Sequence, residues 1–294
     1  MERREGLGFY HVCTNGTVLP WMFKCEEDFI GGINRIGVCK VISGVEVWAF
    51  TLMDNHGHFL LYGTYEICKL FIDRYKFLTG MWISHFHNQS RHIKSLPVSI
   101  IPLKSEEDLL ETIAYIDRNA MLAGFSELPF KYPWASTRLI FSGLKDRTKD
   151  SVGCRIKDFT GNQLRDILKT RVSLPDDWVI DDKGMLDPAC FTEWEKVEKL
   201  YKSPARYLYY LTKKLEGKIN LALSEGTKTF VSDKDLRTIT EGVALEMFGS
   251  DNIRTLDVKS RLTIARILKR DYASTAKQLS RMLHLDFDVL KGFV

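Results

Sequence analysis

His56 and His58 stand two apart in the run Leu52-Met53-Asp54-Asn55-His56-Gly57-His58-Phe59-Leu60-Leu61, which otherwise reads as a buried strand. Along a strand, positions i and i+2 share a face, so the two imidazoles project side by side and can share one divalent ion. Gly57 between them adds no bulk to the other face. The segment Ser105 to Gly124 reads as a helix. Ser105 is its N-cap, Glu106, Glu107 and Asp108 fill the first turn, and Leu109, Leu110, Ile113, Ile116 and Ala120 form the buried stripe. Its polar face carries Asp108, Glu111, Thr112, Tyr115, Arg118 and Asn119, with Tyr115 and Asn119 one turn apart. A tyrosine hydroxyl beside an amide oxygen suits attack on a phosphate and completion of a metal shell. An ordinary half-exposed tyrosine is the plainer alternative.

Tyr10-His11-Val12, the run holding His56 and His58, Tyr115-Ile116-Asp117-Arg118-Asn119-Ala120 through Ala123-Gly124, and Tyr132-Pro133-Trp134-Ala135-Ser136 occur in that order. Over roughly the first half of the chain, this series resembles the single-tyrosine HUH transposases, most of all their REP-associated branch, in a divergent Bacteroidetes-type form. The family pattern reads YHV, LMPNHxHLLL, YIxxNPxxAG and YxWSS. Here Asp54 and Ala120 stand where that pattern has proline, and Gly57 where it has a hydrophobic residue. Its basic stretch before the tyrosine helix is reduced to Asn88-Gln89-Ser90-Arg91-His92-Ile93-Lys94-Ser95.

The resemblance implies that His56, His58 and Asn119 hold Mg2+ or Mn2+ and that Tyr115 is the nucleophile. It implies nicking and rejoining of single-stranded DNA through a 5'-phosphotyrosine, on hairpin or palindromic substrates, with a homodimer as a candidate assembly. A phenol keeps its proton at neutral pH and needs a metal or a base, and Glu111, one turn before Tyr115, is the candidate base. Arg91, Lys94, Arg118, Lys202, Arg206, Lys277 and Arg281 are the candidate DNA contacts. A second reading keeps the fold and the DNA binding but loses catalysis, as in a domesticated regulator. A third, an RNA-binding sheet, lacks the exposed aromatics it would need in Phe9-Tyr10-His11-Val12-Cys13.

The 294 residues, 45% hydrophobic and 27% charged, fit an ordinary globular protein, and a net charge of +4 is only mildly basic. Six cysteines without a CxxC pair read as reduced thiols. No apolar run reaches membrane length and the N-terminus is no signal peptide, so the expectation is a cytoplasmic, nucleoid-associated protein without a membrane partner.

Elements are needed to bring the two segments together. Strands are expected over 8–18 (turning at Asn15-Gly16), 38–43 with 45–53, 55–62 and 98–103. Helices are expected over 26–37, 65–90 and the tyrosine segment. This β-α-β-β-α-β-α order is the α+β, ferredoxin-like plan on which the HUH core is built. The rival pair His85 and His87 ends a helix, where i and i+2 diverge, and reads with His92 as a solvated or DNA-contacting end. His11 reads as a packed histidine. A boundary near 142/143 separates residues 1–142 from a mainly helical region, 143–294. There, helices are expected over 159–171 and 193–210. Tyr201-Lys202-Ser203-Pro204-Ala205-Arg206-Tyr207 reads as a phosphate-gripping surface or as an inward aromatic face. Residues 257–294 suggest a helix-turn-helix or a packing bundle.

Overall fold

The computed structural model describes residues 6–14, 22–87, 92–123, 125–126, 128–142, 153–213, 233–272, 274, 276–287 and 289–290. The Asn15-Gly16 turn, the Arg91 contact, the Gly124 cap, the 143–152 boundary and the last four residues lie outside them. The chain is mixed α+β. β1 (Gly8–Thr14), α1 (Glu26–Ser43), β2 (Glu46–Leu52), β3 (Gly57–Gly63), α2 (Tyr65–His87), β4 (Val98–Pro102) and α3 (Glu106–Leu122) follow in order. The strands form one antiparallel sheet, β2-β3-β1-β4.

Strand alternation sorts the two faces of this sheet. Tyr10, Val12, Phe59 and Leu61 belong to the core shared with α1 and α2. Leu60, with Ala49, belongs to a second core under α3, built on Leu109, Leu110, Ile113 and Ile116. On β2 the register shifts between Val47 and Ala49, which lets Val47 and Phe50, three apart, reach the same core. Ser105 caps α3 with a reciprocal Asp108 capping box, as its sequence signature requires.

α1 runs on to Ser43, so Val38 to Ser43 is helix and not strand. Gly37 marks close packing instead of a helix end: a Cβ there would lie 3.1 Å from Leu186 and Trp178. The stop is Gly44, at φ 72°, whose N–H reaches the Lys40 carbonyl at 2.8 Å. Gly32 is tighter still, since a Cβ would sit 2.7 Å from Phe23 and 2.9 Å from Leu52. Gly32→Ala is expected to cost about 1–3 kcal/mol by overpacking, read from the urea midpoint. A loss under about 0.5 kcal/mol would mean that Phe23 and Leu52 move aside freely.

After residue 153 come β5 (Cys154–Arg155), α4 (Gly161–Leu168), β6 (Val179–Ile180), α5 (Trp194–Tyr201) and a sixth helix, α6, over residues 204–213. The single helix expected over 193–210 is broken by Lys202 at φ 66° and by Pro204, which cannot continue a helix. Three of the aromatic residues there face inward, while Tyr209 is exposed. Tyr201, Tyr207 and Tyr210 are buried against α3, and the Tyr201 hydroxyl donates to the Leu110 carbonyl at 2.6 Å. The segment therefore covers the tyrosine helix with its rings and turns Lys202 to solvent. α7 (Asp233–Phe248), α8 (Val258–Tyr272) and α9 (Ala276–Leu283) share their own core of Leu236, Ile264, Leu268, Leu279 and Leu283. Among the described residues, no helix is long and apolar enough to cross a membrane.

Candidate metal centre

β1 and β3 place three chemically active side chains on the α3 face. Cys13 pairs directly with His58 across the strands, and His11 pairs with Leu60, diagonally from His58. His56 precedes β3, in the turn closed by the Met53 N–H to the His56 carbonyl at 2.7 Å. Its Nε2 lies 3.1 Å from the Nε2 of His58, so the two imidazoles converge although the strand expected over 55–62 begins only at Gly57. Nitrogens ~2.1 Å from a shared ion are 3.1 Å apart when the angle at the ion is ~95°, a normal ligand angle.

Hydrogen bonds aim the rings. The Asn55 amide oxygen can only accept, so His56 Nδ1, 2.6 Å away, carries the proton and leaves the Nε2 lone pair toward His58. His58 Nδ1 lies 3.1 Å from His11 Nε2. With the His58 proton on Nδ1 and His11 accepting it, both Nε2 lone pairs of the pair point to one position. Burial lowers His11 and His56 to about 4 and holds His58 well below its ordinary value, so all three rings are neutral near pH 7 and can act as ligands. Ligand histidines elsewhere hold their second nitrogen in this way, through a partner that fixes tautomer and tilt. His11→Ala is therefore expected to weaken Mn2+ binding ~10–100-fold, with partial rescue in His11→Gln, read by calorimetry. Unchanged affinity in His11→Ala would reduce His11 to packing.

Tyr115 is 39% exposed and stands edge-on to both rings, its centroid 5.4 Å from His58 and 5.8 Å from His11. These residues, with Cys13, Glu111, Thr112 and Arg118, border an open cavity of about 790 Å³. Glu111 Oε1 is 3.6 Å from Lys213 Nζ, at the rim toward α6. Asn119 is half-buried one turn beyond Tyr115 and is not among the cavity's lining residues; Leu122 lines that end instead. Ligand atoms of His11, Cys13 and His58 all lie within 4.8 Å of one another, a second grouping around His58 that does not include His56 and that strand parity alone did not reveal. The alternation Phe9-x-His11-x-Cys13 was the available signal, but it says nothing about which strand lies alongside.

The remaining sequence candidates divide between solvent and internal partners. Lys94, Lys202 and Lys277 are exposed, and Lys94 Nζ lies 5.5 Å over the Phe77 ring. Arg118 is buried and donates to the Tyr210 carbonyl at 3.2 Å, while Arg206 donates to the Leu200 carbonyl at 3.3 Å. Arg281 donates to Asp233 at 2.5 Å. His85 is exposed, and His87 bonds to Asp28 at 2.8 Å.

The turn bearing His56 is held from outside by the C-terminal helices. Asp54 Oδ2 lies 3.4 Å from His284 Nδ1 and 3.7 Å from Arg254 Nη2. Burial pushes its carboxyl up to about 6, against the opposing pull of Arg237, Arg254 and Arg281. Arg281 also stands close enough to His56 to add to the lowering of that ring.

No protein-family model, curated protein or solved structure matches the chain. The assignment of chemistry therefore rests on the site itself.

Proposed function

We propose that this chain nicks and rejoins single-stranded DNA through a covalent tyrosine intermediate. The observation that carries this reading is the convergence of His56 and His58 Nε2, 3.1 Å apart, with His58 packed against a partly exposed Tyr115 at an open cavity. A strand order of β2-β3-β1-β4 with helices between agrees with a ferredoxin-like HUH core, and the helices after residue 153 agree with a mainly helical C-terminal region. Asp54, in place of the proline of the HUH pattern, then gains a use as the anchor for Arg254 and His284.

Mg2+ or Mn2+ held by His56 and His58 would supply Lewis-acid polarisation of the scissile phosphate. The Tyr115 hydroxyl attacks phosphorus, its proton passing to Glu111 or water, and the 3'-oxygen leaves. A later 3'-hydroxyl reverses the step and releases the tyrosine. The open side of the cavity admits an unpaired strand, and substrate hairpins supply one. The test is mass spectrometry of the full chain incubated with Mn2+ and a hairpin oligonucleotide library. The expected product is a nucleotide on Tyr115; a modified residue elsewhere, or none with any oligonucleotide, would overturn the reading. One observation favours a catalytically silent DNA-binding regulator: of the three ligands that the resemblance supplies, only His58 lines the cavity, and His56 and Asn119 do not. That regulator would bind hairpin DNA with no adduct and no strand scission.

A further inference from the structure

A second cluster of metal-ligating side chains lies where the start of α1 meets the end of α2. Cys25 occupies the N-cap position of α1, in an extended conformation. Asp28 follows at i+3, on the same side of the first turn. Its carboxylate is wholly buried and accepts the Lys24 N–H at 2.8 Å. From α2, His87 brings Nε2 to within 2.8 and 2.9 Å of the two Asp28 oxygens. Ligand atoms of Cys25, Asp28 and His87 all lie within 4.8 Å of one another. Glu27, nearby on the first turn of α1, is exposed and is not part of the cluster.

We propose that Cys25, Asp28 and His87, with water closing the shell, form a thiolate-containing site for a zinc-like divalent ion that staples α1 to α2. The donor types select the ion. One sulfur, one imidazole and carboxylate oxygens suit Zn2+ or Co2+ in a four-coordinate shell, and a hard, six-coordinate Mg2+ is a poor match for thiolate. The spacing agrees, because two ligands three residues apart on a helical turn resemble the paired knuckle of structural zinc sites. The Lys24 N–H on Asp28 supplies the outer hydrogen bond that ligating carboxylates carry. On binding, the Cys25 thiol proton and any proton shared by Asp28 and His87 pass to solvent, and affinity falls with acid. The site is independent of the proposed DNA chemistry, and its donors are distinct from His11, Cys13, His56 and His58.

The experiment loads the full-length apoprotein with Co2+ and reads its absorption. A thiolate-to-cobalt charge-transfer band is expected at one equivalent per chain. Cys25→Ser should lose that band and bind Zn2+ at least ~10-fold more weakly, while Cys13→Ser and His56→Ala/His58→Ala keep it. Zn2+ should raise the thermal midpoint of the parent and not that of Cys25→Ser. Absence of a thiolate band in the folded parent would leave Asp28 and His87 as an ion pair only and overturn the site. A band that survives Cys25→Ser, or that follows Cys13, would overturn it equally.

Discussion

Tyr115→Phe is expected to abolish the covalent protein–DNA adduct while leaving affinity for hairpin DNA within about twofold of the parent. The substitution removes one hydroxyl from a side chain whose ring packs edge-on against His58 and His11, at interplanar angles of 85° and 76°. Phenylalanine keeps those contacts and the helix around them. The lost oxygen is the only atom of this residue that can attack phosphorus, so adduct formation should fall by at least ~10³-fold, the scale on which nucleophile removal acts. Binding is read by fluorescence anisotropy and the adduct by denaturing gel, on the same preparation. An adduct in the Phe variant would place the nucleophile elsewhere. A matching loss of binding and adduct would mean that the hydroxyl serves recognition and not attack.

Asp117→Ala should be the most damaging single change near the site, by about 3 kcal/mol or more, because it leaves two buried hydroxyls without an acceptor. The Asp117 side chain is fully buried and is not among the residues that line the cavity. Thr137 Oγ1 donates to one of its oxygens at 2.6 Å and the Tyr207 hydroxyl to the other at 2.6 Å. These bonds join α3, the stretch after residue 135 and α6 at one carboxyl group. A chemical-denaturation midpoint lowered by less than ~1 kcal/mol equivalent would show that the three elements hold without it.

The same group predicts a pH dependence. Burial pushes the Asp117 carboxyl up to about 6 from 3.8, with the Thr137 and Tyr207 hydrogen bonds opposing. A folded-state value above the unfolded one means that the folded chain binds more protons between those limits. The Asp117 contribution is therefore complete below about pH 4 and lost as pH rises through about 6. Asp54 shifts in the same direction, to about 6. Asp117→Asn, which keeps hydrogen-bonding capacity without titrating, should reduce the fall in stability between pH 4 and pH 7 but not remove it. An unchanged slope would assign that fall to Asp54 and other groups.

Local chemistry made several features legible in the sequence. The tyrosine helix announced itself through Ser105, its acidic first turn and its apolar stripe, because capping and amphipathic burial act over a few residues. Residues 258–272 and 276–283 were readable as helices for the same reason. Strand parity put His56 and His58 on one side in the sequence; in the structure His56 lies in the turn just before β3, with its ring still beside His58. Misreadings arose where a glycine's role depends on distant partners. Gly37 resembled a helix stop, yet its neighbours are Leu186, Trp178 and Phe191, about 150 residues away.

The residue types and the two-residue spacing were thus enough to nominate a metal-binding pair and a helix bearing a nucleophile. Strand pairing decided the rest. Only the β1–β3 register brings His11 and Cys13 beside His58, and only helix packing brings Tyr115 against His58. Likewise, nothing near Asp54 in the chain foretells Arg254 or His284, and nothing near Asp28 foretells His87. Spacing along a chain fixes direction within one element. Which side chains meet depends on how elements pack, and that is set by the burial of all of them together.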